Sequence, residues 1–97
     1  MTEDVIKLGG NIELIGFKQV DIGSLIIVKK IVGSHVKKFS ESVSNFEKFS
    51  LTLVSFENKE LSASLQYGGN NVEVSSSAGN LFTALDKVMK HIEEKIK

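Results

Sequence analysis

Residues 60–96 read ELSASLQYGGNNVEVSSSAGNLFTALDKVMKHIEEKI, and the hydrophobic period changes once along them. Leu61, Ala63, Leu65 and Tyr67 alternate with Ser62, Ser64 and Gln66, which is the period of a strand with one buried face. Gly68-Gly69-Asn70-Asn71 is a hairpin turn signal, and Val72 and Val74 resume the inward face in a strand over 72–77. Asn80 is a good N-cap. After it Leu81, Leu85, Val88, Ile92 and Ile96 recur as one helical stripe, with Ala84, Phe82 and Met89 beside it. Thr83, Lys87, Lys90, Glu94 and Lys97 line the opposite side. A hairpin running into an amphipathic helix makes this an α+β chain.

Working towards the N-terminus, residues 49–56 (FSLTLVSF) place Phe49, Leu51 and Leu53 on one face of a strand, with a turn at Asn58-Lys59. Residues 24–43 form a helix: Leu25, Val28, Val32, Val36, Phe39 and Val43 fall within an arc of about 80°. Ile27 and Ile31 lie off that stripe, and Gly33 sits inside the helix. Asp21 and Ser24 both suit its N-cap. Residues 11–17 (NIELIGF) alternate as a first strand. Residues 1–10 are a polar arm, or extend that strand through Val5, Ile6 and Leu8 past a bulge at Gly9-Gly10. The expected fold is α+β in the order β-α-β-β-β-α: a single domain over 11–97, with a four-stranded sheet and both helices packed on one face. The short polar residues facing outward leave the other face wet. The helix between the first two strands is a crossover, right-handed if those strands are parallel.

Composition narrows the chemistry. A chain of 97 residues is one domain, and 41% hydrophobic with 25% charged residues is ordinary for a globule. The longest apolar run, Leu25-Ile26-Ile27-Val28, stops at Lys29-Lys30, far short of the ~20 residues that span a bilayer. The opening MTEDVIKLGG has no signal-peptide core, so the expected location is the cytoplasm, away from membranes. The absence of cysteine excludes disulfides, thiolate catalysis and Cys-ligated zinc. His35 and His91 belong to no HExxH or Glu-x-x-His arrangement, and no Gly-x-Ser-x-Gly elbow occurs. Neither glycine pair matches a phosphate loop, and Ile31-Val32-Gly33-Ser34-His35-Val36 lacks the second glycine of a KH loop. The expectation is a protein that is not an enzyme and holds no metal or cofactor.

All twelve basic residues are lysine, and they balance twelve acidic ones. With no net basic field, capture of nucleic acid must come from local clustering. Lys29-Lys30 and Lys37-Lys38 stand on the first helix, with Lys30 and Lys37 about 20° apart in projection. The second helix adds Lys87 and Lys90, then Lys95 and Lys97. Side by side, the helices would carry a discontinuous basic ridge, interrupted by Glu41, Asp86, Glu93 and Glu94, that touches phosphates without reading sequence.

Residues 72–96 resemble the end of the ribosome hibernation-promoting factors, also known as Y proteins or ribosome-associated inhibitors. Their last strand leads through an Ala-rich turn to a helix opening aromatic-Ala-Ala-Ile-Asp, here Phe82-Thr83-Ala84-Leu85-Asp86. Asn80 stands where that family has an Asp cap, and Gly16 ends the first strand as theirs does. The resemblance implies a fold like a double-stranded RNA-binding domain. It also implies association with the small ribosomal subunit near the decoding centre, blocking mRNA and tRNA on idle ribosomes. The positions it assigns to rRNA are Lys30, Lys37, Lys38, Lys87 and Lys90. Glu93 and Glu94 depart from it, in a region usually basic. The alternative expectation is a protein-interaction module of the same fold without RNA binding, homodimeric through Ile27 and Ile31 with Ile26 alongside.

Overall fold

Leu61, Ala63 and Leu65 are buried, and each faces an apolar residue across the sheet: Leu53, Leu51 and Phe49 on one side, with Val74 and Val72 beyond Ala63 and Leu65. The alternation thus forms the floor of the core. The computed structural model describes residues 5–9 and 11–96. Among these, the elements run β1 (Val5–Lys7), β2 (Ile12–Ile15), α1 (Ile22–Ser42), β3 (Phe46–Ser55), β4 (Glu60–Tyr67), β5 (Asn70–Ser77) and α2 (Leu81–Ile96). The sheet order is β1-β2-β3-β4-β5. β2 and β3 are parallel across the α1 crossover, and every other neighbouring pair is antiparallel.

The sheet therefore has five strands where four were expected. Val5–Lys7 neither extends the first strand nor forms a loose arm; it turns back antiparallel on β2, pairing Ile6 with Leu14. Gly9, at φ +89°, lets the chain reverse, and Ile12 N–H donates to its carbonyl at 3.3 Å. Three residues are too few for a period-two pattern to announce a separate strand. Readings that fall on residues 1–4, Gly10 and Lys97 lie outside the described residues.

Local chemistry sets the other boundaries. Between the two candidate caps, Asp21 takes the role: its carboxylate accepts from Ser24 N–H at 3.0 Å, so α1 starts two residues earlier than the periodicity gave. Asn80 caps α2, accepting from Thr83 N–H at 2.8 Å. Gly68 and Gly69, at φ +52° and +82°, form the two-residue turn between Tyr67 and Asn70, a type I′ hairpin. β3 begins at Phe46, ahead of the expected residue 49, across a register shift between Phe46 and Lys48.

One cluster joins Val28, Val32, Val36 and Phe39 of α1 and Ala84, Leu85, Val88, Met89 and Ile92 of α2 to the inward residues of β2, β3 and β4. Both helices thus cover one sheet face. The other face is made of rows such as Glu13-Ser50-Ser64-Glu73 and Ile15-Thr52-Ser62-Ser75. Each helix follows a strand pointing the same way and reverses direction, so α1 and α2 run parallel, their N-termini at the end of the sheet that carries the β3–β4 turn.

Candidate nucleic-acid interface

Lysine side chains can contact phosphate only if they are exposed and not already neutralised. Lys30, Lys37, Lys38, Lys87 and Lys90 are all exposed. Lys90 Nζ lies 3.3 Å from Asp86 Oδ2 one turn away, an i,i+4 pair on open helix surface. Among the described residues, Lys30, Lys37, Lys38 and Lys87 sit in no ion pair.

His35 shows how the helix faces meet. Its half-buried imidazole packs against Phe39, ring centroids 6.1 Å apart. Burial lowers its pKa, and the charge of Lys38 lowers it further, while Asp86 and Glu93 of α2 pull it back up. His35 therefore stands on the side of α1 that faces the acidic residues of α2. Seven residues apart, Lys30 and Lys37 project together from the far side of α1, about 100° round from Lys38. Lys87 lies about 60° from Lys90 around α2. The five lysines divide into an outward pair on α1, a third one turn from His35, and two on α2, one held by Asp86.

Comparison of the chain with protein-family models and with curated proteins returns no match.

Ile31 is half-buried and packs against the core, so it does not join Ile27 in an exposed patch. The open apolar positions of α1 are Ile22, Ile26 and Ile27, at 78%, 49% and 48% exposure. At the end of the domain where both helices begin and β3 ends, a cleft of about 190 Å³ is lined by Val20, Asp21, Ser24, Phe56, Lys59 and Leu81. Lys59 Nζ sits 4.2 Å from the centre of the Phe56 ring, a cation–π contact. Each of these residues is ordinary in its own segment, and only the parallel placement of the helices gathers them.

On the polar sheet face, Lys48 Nζ meets Glu13 Oε1 at 3.0 Å, and Ser50 Oγ donates to the same oxygen at 3.1 Å. A hollow of about 230 Å³ opens beside them, lined by Lys7, Asn11, Ile12, Glu13, Glu47 and Lys48. Two lysines and two glutamates line it, with Lys48 paired to Glu13 and Glu47 accepting from Gly69 N–H at 3.0 Å. Among the described residues no group of three His, Asp or Glu side chains is placed to hold a metal, and no helix is long and apolar enough to cross a membrane.

Proposed function

We propose that this protein is a ribosome-associated regulator of translation that lays the outer sides of α1 and α2 against rRNA of the small subunit. The observation that carries the reading is the set of exposed lysines outside ion pairs, Lys30, Lys37, Lys38 and Lys87, on two parallel helices over one sheet face. The element order from β2 to α2 and the Phe82-Thr83-Ala84-Leu85-Asp86 helix opening support it from the side of the family resemblance. Contacts of this kind grip phosphate and carry no sequence information, so fit to a fixed rRNA surface supplies the specificity. The test is sedimentation with purified small subunits and 70S particles at low salt. Co-migration that weakens steeply as salt rises supports the proposal. Protein remaining at the top of the gradient with ribosomes in excess refutes it.

The exposure of Ile22, Ile26 and Ile27 favours a second reading, an interaction module of this fold that binds protein through α1 instead of RNA. Under it, Ile26→Glu with Ile27→Glu abolishes partner binding and lysine substitutions do nothing. Under the ribosome reading the lysine substitutions weaken ribosome binding.

A further inference from the structure

The sheet has two edges, and they differ. β1 closes one edge with three residues, whereas β5 leaves eight residues open on the other, paired to β4 without a register shift. Open edges are normally guarded by proline, lysine, a bulge or brevity. β5 (NNVEVSSS) has none of these, and its single charge is Glu73. Because a two-residue turn joins β4 to β5, the flanking pair Tyr67–Asn70 is hydrogen-bonded. Alternation then gives Val72, Val74 and Ser76 to β4 and points the backbone N–H and C=O of Asn71, Glu73, Ser75 and Ser77 at the open edge.

We infer that β5 pairs antiparallel with β5 of a second copy about a two-fold axis through Val74, joining the two sheets into one of ten strands. Parity and charge select the register. The outward-pointing groups are all on odd-numbered residues, so the axis must bring odd residues opposite odd ones. An axis through Glu73 would oppose two carboxylates, which is unfavourable. The axis through Val74 pairs Asn71 with Ser77 and Glu73 with Ser75 of the second copy, each twice, and so uses all four outward-pointing residues. On the polar face each amide or carboxylate then meets a hydroxyl. The same chemistry already links strands within one copy, where Ser64 Oγ donates to Asn71 Oδ1 at 3.0 Å and Ser50 Oγ to Glu13. On the helix face Val74 meets Val74 beside the groove that β5 forms with His91, Glu94 and Lys95. That flank carries both signs of charge, so two copies approach without net repulsion. The inference does not rest on ribosome binding, and it uses a different surface from Ile26 and Ile27.

The chain has no cysteine, so a single introduced thiol reports the register. Val74 facing Val74 is a non-hydrogen-bonded pair with Cα atoms about 4.5 Å apart, within disulfide range. Mild oxidation of Val74→Cys should give a covalent dimer, while Val72→Cys, displaced from the axis, should stay monomeric. By analytical ultracentrifugation, Ser75→Glu, which sets a carboxylate against Glu73, should weaken the dimer about tenfold. Ser75→Lys should tighten it by a similar factor. Circular dichroism and melting of each variant separate loss of pairing from loss of fold. A protein that stays monomeric at all concentrations overturns the inference. So does a dimer indifferent to both Ser75 substitutions, or one that crosslinks equally at 72 and 74.

Discussion

Lys48 and Glu13 form an ion pair at 3.0 Å across the parallel strands β2 and β3, on the polar face of the sheet. The Lys48 contact holds the Glu13 carboxyl below its ordinary pKa, and the Ser50 hydroxyl adds to this. Because the folded-state value lies below the unfolded one, the pair stabilises the fold above the usual carboxylate range and loses that effect as pH falls through it. The lysine side chain is nearly half exposed, which limits the pair to about 1 kcal/mol or less. Glu13→Gln should lower the melting temperature slightly at pH 7, and the difference from the parent should shrink toward pH 3. A difference constant over that range would show that the charge is irrelevant.

His35 titrates in the opposite chemical sense with the same pH direction. Its folded-state pKa is depressed, first by burial and then by Lys38, so protonation opposes folding. The stability it contributes is complete above the ordinary imidazole range and declines as pH falls below that range toward the depressed folded-state value. In an NMR titration its ring protons should move at lower pH than a free imidazole. Asp86→Asn and Glu93→Gln, which remove the charges that pull the value up, should each lower it further. A rise in either variant contradicts the assignment.

Two glycines should respond oppositely to alanine. Gly16 has φ +81°, and an added Cβ would stand 2.9 Å from the Leu53 carbonyl oxygen. Gly16→Ala should therefore cost more than about 1 kcal/mol, since strain and backbone collision combine. Gly33 lies inside α1, and an alanine Cβ there would meet nothing within 4 Å. Gly33→Ala should stabilise the protein by about 1 kcal/mol through helix propensity. Urea unfolding midpoints check both.

If the α1 lysines touch rRNA, each contact removed should reduce the salt dependence of ribosome binding. Lys30→Ala and Lys37→Ala should each lower the slope of log affinity against log salt by roughly 0.7–0.9. Lys90→Ala should change it less, because that lysine is already paired with Asp86. Binding measured over a potassium chloride series reads the slopes, and three equal slopes would remove the distinction between free and paired lysines.

The boundaries of β4 and α2 follow from sequence alone, because the alternation of 60–67, the Gly68-Gly69 turn and the Asn80 cap act within a few residues of one another. The core stripe of α1 was legible for the same reason: Val28, Val32, Val36 and Phe39 are buried where helical spacing puts them. Tertiary structure decided what depends on segments distant in the chain. Val5–Lys7 became a fifth strand only because β2 offered an edge, and Ile31 left the surface while Ile27 stayed because the α1 flank meets the core there. The lysines were visible as residues, but whether they converge was not. Helical periodicity fixes the direction of each side chain about its own axis, while the packing of α1 beside α2 brings His35 under the charges of Asp86 and Glu93 and leaves Lys30 and Lys37 on the far side.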